Sequence, residues 1–238
     1  RWGRTAQEYL LTSFMSTGGT ASDPLRGNIQ WTDPADLSSY TLKRSIPTLK
    51  DQVNRILTNQ LNLRADFATG GVKHNLSAGL EFTREQQDSP STSSTGSLPV
   101  ANLYNPDWND IGTLAWALNG AGSVGKTNTT SLYLFDTLHF GERFLLTAGL
   151  RADRYDTEYF ASAACGGSGR GATPCPDGLA VGTVIPTTDL RAKDTLFNWK
   201  LGALYKITNA FNLYANYALS QQPPGGANFQ LSSAANNA

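Results

Sequence analysis

Apolar and polar residues alternate with a period of two along most of this chain, which is the spacing of side chains on the two faces of a β-strand. In each alternating segment, one face holds mainly Leu, Ala, Phe, Tyr and Trp, while all of the charged residues lie on the other face. The clear segments are 56–67, 74–83, 143–153, 195–206 and 211–220. Segments 4–14 and 129–140 contain strand-forming residues but alternate poorly. We predict an antiparallel sheet of about seven strands, centred near residues 9, 60, 80, 134, 149, 200 and 215.

The connections between these segments are alternately short and long. The short ones, at 68–73, 140–143 and 207–210, contain Gly or Asn and are typical of hairpin turns. Short turns at one end and long loops at the other are typical of an outer-membrane β-barrel, whereas a β-sandwich has turns at both ends. The long connections are predicted as loops over roughly residues 15–50, 86–127 and 156–193.

Aromatic residues beside the short turns are placed as an interfacial girdle would be. They are Phe67, Phe144, Tyr205 and Phe211. The predicted fold is therefore all-β: an antiparallel, up-and-down transmembrane β-barrel with short periplasmic turns and long extracellular loops. About seven strands are too few to close a large barrel. Residues 1–238 are thus predicted to form an incomplete part of one barrel domain.

The membrane also determines which face points inward. If strand 143–153 slipped by one residue, Arg151 and Asp153 would face lipid, and an arginine at the bilayer midplane costs about 2–4 kcal/mol. We therefore predict that the polar faces line a lumen. Arg84 and Arg154 have the parity of the apolar faces but lie beyond the clear segments, so we place them above the membrane on extended strands.

Composition excludes several classes of protein. Nineteen basic and nineteen acidic residues cancel, so the chain has no electrostatic signature of nucleic-acid binding. Charged residues make up 16% of the chain, against about 25% in soluble domains. No apolar run reaches the roughly 18 residues that a transmembrane helix needs. The start, RWGRTAQEY, has neither Met nor an apolar signal-peptide core, which suggests a mature start or an internal piece of a longer protein.

Residues 120–127, GAGSVGKT, match the phosphate-binding pattern G-x-x-x-x-G-K-[ST]. That pattern binds nucleotide only between a buried strand and the N-terminus of a helix. The residues that follow, TNTTSLYLFDT, favour a strand because Thr and aromatic residues have low helix propensity. We therefore interpret 120–127 as a loop of small residues that runs into a strand, and we predict no nucleotide site.

Cys165 and Cys175 bracket the sequence GGSGRGATP, with no His nearby. Two cysteines alone do not complete a zinc site, and the C-x9-C spacing is no redox motif. We predict a loop disulfide, with two free thiols as the alternative. His74 and His139 lie beside short turns on separate strands, without the spacing of metal ligands.

Three stretches resemble the barrel of TonB-dependent outer-membrane receptors, and in particular the catecholate ferric-siderophore receptors. They are residues 56–85, residues 131–159, and the strand that ends in LYANYALSQQPPGG. The resemblance covers nearly the whole chain. It implies that a plug domain with its TonB box, and further strands, lie outside this chain.

The resemblance also implies a function: binding of a ferric siderophore of the catecholate class at the outer face of the bacterial outer membrane, followed by import driven by the TonB complex. Iron would enter only as part of this ligand, without any resident cofactor. A passive porin or a purely structural barrel is the alternative, and no clustered catalytic residues favour an enzyme. A ferric tris-catecholate is a compact anion with aromatic faces, so its capture requires cations among aromatic rings. The candidate ligand-binding residues in the predicted loops are Tyr104, Trp108, Trp116, Arg170, Arg191 and Lys193.

Overall fold

The computed structural model describes residues 1–11, 29–44, 48–107, 109–166, 172–208, 210–224 and 229–232. Within these ranges the chain contains β-strands and one short 3-10 helix. In chain order they are β1 (Trp2–Leu11), β2 (Ile29–Gln30), the 3-10 helix (Leu37–Ser39), β3 (Thr41–Leu42), β4 (Thr48–Thr69), β5 (Val72–Thr95), β6 (Ala101–Asn102), β7 (Ala115–Phe140), β8 (Phe144–Ala164), β9 (Val184–Lys206) and β10 (Asn212–Leu219). No helix in the described ranges is long and apolar enough to span a membrane.

The long strands form one seven-stranded sheet in the order β1-β4-β5-β7-β8-β9-β10. Each strand runs antiparallel to its neighbours in the sheet. Every predicted strand centre lies within one of these seven strands. The prediction of an all-β, antiparallel, up-and-down sheet is therefore confirmed. The sheet ends at β1 on one side and β10 on the other, so the described strands do not close into a barrel by themselves.

The three short turns lie where the sequence places them. β4 and β5 are joined through Gly70 and Gly71, and β7 and β8 through residues 141–143. Gly70 and Gly141 have φ values of +62° and +64°, a left-handed conformation that favours glycine in tight turns. The third turn, between β9 and β10, is closed by hydrogen bonds from Ile207 N and Thr208 N to Phe211 O, at 3.0 and 3.1 Å.

The predicted extents of the long loops are wrong, because the strands continue well into them. β5 extends to Thr95 and β7 begins at Ala115, so much of 86–127 is strand. Similarly, β8 extends to Ala164 and β9 begins at Val184. The alternation of apolar and polar residues ends before the strands do. Once a strand rises above the bilayer, its outward face meets water and no longer needs apolar residues.

The register of the sheet places the apolar residues of neighbouring strands side by side on the outward face. Leu134, for example, lies opposite Ala78 on one side and Leu150 on the other, and Leu150 lies opposite Trp199. The apolar band comprises Leu61, Leu63, Phe67, Leu76, Leu80, Leu132, Leu134, Leu138, Leu146, Leu150, Phe197, Trp199 and Leu201. From the row of Phe140 to the row of Thr130, the tilted strands rise by about 25 Å, the height of a bilayer's apolar region.

Beyond the apolar band, the same outward positions become charged. This outer charged strip comprises Arg84, Lys126, Arg154, Asp156, Glu158, Arg191 and Lys193. Arg84 and Arg154 therefore lie above the band on extended strands, as predicted. The side chains of Arg151 and Asp153 have the opposite parity and lie on the inward face with Ser131 and Asn198.

A second, small sheet of order β2-β3-β6 was missed by the sequence analysis. Each of its strands is two residues long, too short for a periodic signal. The 3-10 helix beside it begins at Leu37 and is capped by Asp36, whose side chain accepts a hydrogen bond from Ser38 N at 2.9 Å. Hydrogen bonds from the Ser38 hydroxyl and backbone N–H hold the pKa of the Asp36 carboxyl below its ordinary value.

Cys165 and Cys175 form a disulfide with a Cα–Cα separation of 4.8 Å. Cys165 lies immediately after β8, and its backbone bonds to the residues that precede β9. Cys165 N donates to Thr183 O at 2.9 Å, and Gly182 N donates to Cys165 O at 2.8 Å. The disulfide and these backbone hydrogen bonds together attach the loop to the ends of both strands. In the chain-entropy model, closing a loop of this size stabilises the folded state by about 3 kcal/mol.

Candidate functional site

Arg151 is the centre of a polar network on the inward face. Its Nε donates to Asp153 Oδ1 at 2.7 Å, and its Nη2 donates to Ser131 Oγ at 2.9 Å and to Glu81 Oε1 at 3.3 Å. Asn198 Nδ2 donates to the other oxygen of Asp153 at 2.9 Å. The sequence places these five residues on four different strands, and only the register brings them together. The network is a rigid, charged lining for a lumen.

The residues that follow β10 extend this lining. Gln221 N donates to Asn198 Oδ1 at 2.5 Å, which connects the SQQPP stretch to the Arg151 network. Ser220 through Pro223, together with Glu81 and Arg151, line a cavity of about 380 Å³. The SQQPP stretch, which carried part of the family resemblance, therefore lies over the inward face.

A cleft opens in the sheet near its extracellular end, between β4 and β5. Pairing of these strands ends at Val53 and Asp88, whereas β4 remains paired with β1 and β5 with β7 beyond that point. The cleft has a volume of about 510 Å³, and Tyr9, Lys50 and Trp116 are among its lining residues. Lys50 Nζ lies 6.0 Å from the centre of the Tyr9 ring. A cation beside one aromatic ring, with a second ring in the same cleft, is suited to an aromatic anion.

Two acidic residues also line this cleft. Glu8 and Asp51 lie opposite each other across β1 and β4, as Tyr9 and Lys50 do one position further along. Because side chains alternate along a strand, the acidic pair has the outward parity, and the Tyr9–Lys50 pair has the inward parity. A ligand that approaches from the lumen side therefore meets Lys50 and Tyr9 first.

Tyr104 belongs to an aromatic cluster beside the small sheet. Trp31 and Tyr40 are stacked with ring centres 5.3 Å apart, and Tyr104 contacts Tyr40 edge-on at 5.9 Å. Tyr104 remains 59% exposed, so one of its ring faces is available. Arg44 secures the neighbouring loop by donating to the backbone carbonyls of Asp107 and Asp110.

Arg191 and Lys193 were predicted in a loop, and that placement is wrong. Both lie within β9, at outward positions of the outer charged strip. Arg191 bonds through two nitrogens to Asp156 and lies 3.5 Å from Glu158. Its hydrogen bonds hold the pKa of the Asp156 carboxyl, which lies beyond the apolar band, below the ordinary value. These two cations face away from the lumen and do not meet Trp116 across it.

Three other predictions concern the same region. Trp108 and Arg170 lie outside the described residues. Trp116 was predicted in a loop but lies near the start of β7, where it is 44% exposed. Lys50 and Tyr9 were not singled out by the sequence analysis. The pairing of an aromatic with a cation across two strands is visible only once the register is known.

The GAGSVGKT segment lies within β7, so its interpretation as a loop is wrong, while the absence of a following helix is as predicted. Lys126 lies 3.5 Å from Glu158 on the outward face. The Thr127 hydroxyl shares a 2.8 Å hydrogen bond with the buried Thr157 hydroxyl. Neither residue is placed to hold a phosphate or magnesium. In the described part of the chain, no group of three or more His, Cys, Asp or Glu could hold a metal ion.

Comparisons with known proteins agree with this geometry. The chain is 45% identical to the catecholate siderophore receptor Fiu of Escherichia coli K12 over 231 residues, which are 97% of this chain and 29% of that receptor. The crystal structure of the closed form of the ferric-catecholate import receptor Fiu from the same strain matches with a TM-score of 0.83. That match has 45% identity and covers 97% of this chain and 31% of the other.

A more distant relative is the ferrichrome outer membrane transporter/phage receptor of E. coli K12. It is 27% identical over 194 residues, which are 80% of this chain and 23% of that protein. The chain thus spans less than a third of the length of each of these relatives. The family model described as TonB dependent receptor-like, beta-barrel matches residues 2–238. This chain therefore belongs to the β-barrel family of the TonB-dependent receptors, which are outer-membrane proteins.

Proposed function

We propose that this chain is part of a receptor that binds a ferric siderophore, of the catecholate class, at the cell surface and imports it. The main support is the 45% identity to the Fiu receptor over 97% of this chain. Iron would enter as cargo, bound in the siderophore. A plug domain outside this chain would connect the barrel to the TonB complex, and the apolar band would contact outer-membrane lipid.

The geometry of the cleft between β4 and β5 supports the class of ligand. A ferric tris-catecholate is a compact anion with exposed aromatic faces. Lys50 offers a positive charge, the Tyr9 ring lies beside it, and the Trp116 ring lines the same cleft. Tyr104 adds a further exposed ring near the small sheet. We propose Tyr9, Lys50, Tyr104 and Trp116 as ligand contacts. Trp108 and Arg170 remain candidates from the sequence.

The test uses the full-length receptor in cells that lack other catecholate receptors. Lys50→Gln and Trp116→Ala are each expected to weaken binding of a radiolabelled ferric tris-catecholate by about threefold to tenfold, the effect of losing one cation or one ring contact. Arg191→Gln is the matched control, because it removes a cation of the outward face. Unchanged binding in Lys50→Gln and Trp116→Ala, at normal surface levels, would remove the cleft from the site.

The mode of transport is tested separately. Collapse of the proton gradient is expected to stop uptake of the labelled complex while surface binding continues, because TonB transmits energy from the inner membrane. A passive porin would take up the complex at the same rate with or without the gradient. Uptake that persists without the gradient would therefore favour the porin over the receptor.

A further inference from the structure

The chain contains two histidines, and the sheet places them on opposite faces near the short-turn end. His74 lies opposite Phe67 and Leu138, on the outward face within the apolar band. His139 lies opposite Lys73, on the inward face. His139 Nε2 is 2.6 Å from Asn75 Oδ1, another inward residue. The inward histidine is therefore part of the polar lining, whereas the outward histidine lies at the surface that faces lipid.

Asp136 shares the outward face with His74. It lies opposite Leu76 and Ala148, one row further into the apolar band than Leu138. An ionisable side chain at a lipid-facing position is costly, so such residues are rare and generally have a specific partner. Here the partner is the imidazole, because Asp136 Oδ2 lies 2.7 Å from His74 Nδ1.

The surrounding residues leave hydrogen-bonding groups of Asp136 and His74 unused. The other oxygen, Asp136 Oδ1, is buried and has no hydrogen-bond partner among the described residues. His74 is the only ion-pair partner of Asp136 in that part of the chain. A single proton held between His74 Nδ1 and Asp136 Oδ2 leaves the pair without net charge, as a lipid-facing position favours. The imidazole then carries a second N–H group, at Nε2, which Asp136 does not use.

The second donor lies close to the membrane interface. His74 is two residues from Val72, which pairs with Phe140 at the lower edge of the apolar band, a rise of about 5 Å along the tilted strand. The Phe67 ring stacks on the imidazole with centres 4.6 Å apart and planes 3° apart, which holds the ring in position. At that edge, the acceptors outside the protein are the oxygens of lipid head groups and ester links.

We propose that His74, oriented by Asp136 and stacked on Phe67, binds the phosphate of a glycerophospholipid in the leaflet next to the short turns. The Nε2–H group donates to a phosphate oxygen, and the acyl chains lie along Leu138 and Leu146 of the apolar band. This site is independent of the proposed siderophore function, because it lies on the opposite face and at the other end of the strands.

The proposal is tested on the full-length receptor, purified in detergent and stripped of lipid. Native mass spectrometry with added phosphatidylethanolamine should show about tenfold weaker lipid retention for His74→Phe, which keeps a ring to stack on Phe67 but removes the donor. His139→Phe is the matched control on the inward face and should retain lipid as the parent does. Equal retention by the parent and His74→Phe would overturn the proposal, and so would equal loss in both variants.

Two further measurements keep the test decisive if His74→Phe fails to fold. The imidazole ¹⁵N signals of His74 and His139 in the unmodified receptor can be assigned as those that are lost in His74→Gln and in His139→Phe. Phosphatidylethanolamine should shift the His74 signal and leave the His139 signal in place. Diacylglycerol, which lacks phosphate, should not shift it, and inorganic phosphate should do so only at far higher concentration. An equal response to diacylglycerol, or no response to the phospholipid, would refute phosphate recognition.

Discussion

The long strands have one half within the apolar band and one half above it, and the two halves differ mainly in the residues of their outward face. On the outward face of β8, Leu146 and Leu150 lie in the apolar band, whereas Asp156 and Glu158 lie in the outer charged strip. The inward face changes much less, since Asp153 and Thr157 are both polar and buried. The membrane therefore determines the residues of the outward face, and a hydrogen-bonded interior determines those of the inward face. A strand that leaves the membrane keeps its backbone pairing but loses its alternating pattern.

The largest expected effect comes from placing the same charge in both halves of β8. We expect Leu150→Arg to reduce the free energy of folding into a bilayer by about 2–4 kcal/mol, since this exposed side chain faces the middle of the apolar band. Phe160→Arg, at an outward position above the band, should change it by less than about 0.5 kcal/mol. Equilibrium folding of the full-length receptor into vesicles measures both. Similar losses for the two variants would show that Phe160 also faces lipid.

The second comparison removes an arginine from each half. Arg151→Ala leaves the largely buried Asp153 and the neighbouring Glu81 without their shared partner, and we expect a loss of about 1.5–3 kcal/mol. Arg191→Ala breaks exposed pairs and should cost about 0–1 kcal/mol. Chemical unfolding of the full-length receptor measures both losses. An equal effect of the two changes would mean that the Arg151 network is as solvated as the outer charged strip.

A third change concerns packing on the inward face within the membrane. A Cβ added at Gly79 would lie 2.3 Å from the Tyr133 ring and 2.8 Å from the backbone oxygen of Leu61. We expect Gly79→Ala to destabilise the receptor by about 1–3 kcal/mol, the usual effect of overpacking. Gly71→Ala is the control, because nothing lies within 4 Å of a Cβ in that turn. A thermal unfolding midpoint in Gly79→Ala equal to that of the control would show that Tyr133 moves aside freely.

The smallest expected effect is at the phosphate-binding motif. Lys126→Ala removes a pair with a 3.5 Å separation in the outer charged strip, so stability should change by less than about 1 kcal/mol. Calorimetric titration of the parent with ATP and magnesium should show no binding. Saturable binding that disappears in Lys126→Ala would contradict the assignment of 120–127 to an ordinary strand.

The parts of the fold that were predictable are those where a physical constraint acts on single positions. The outward positions of the strands, such as Leu61 and Leu150, face lipid and therefore hold apolar residues at every second site. The turns at Gly70 and Gly141 need residues that adopt positive φ, which favours glycine. The extents of β5, β7, β8 and β9 were not predictable in this way. Their upper halves have water on the outward face, so apolar and polar residues do not alternate there and the sequence shows no strand pattern.

The candidate site was less predictable because it depends on pairs. Trp116 was predicted as a ligand-binding aromatic in a loop, whereas it lies on β7, and its place in one cleft with Lys50 and Tyr9 follows from where β4 separates from β5. Arg191 and Lys193 were expected in a loop above the lumen, whereas their parity in β9 turns them outward. A residue's type indicates what it can bind, and its strand, register and parity determine which ligand it meets.

The sequence by itself determined that this protein is a membrane-spanning sheet with short turns at one end, because lipid and water select residues one position at a time. It also carried the family resemblance through stretches that follow one another along the chain. Only the tertiary structure decided which distant residues act together: the Arg151 network, the cleft beside Lys50, and the pairing of His74 with Asp136. Hydrogen bonds between strands hold that register, but they use backbone groups that are the same for nearly every residue, so one strand's sequence does not show which residues of the next strand it meets.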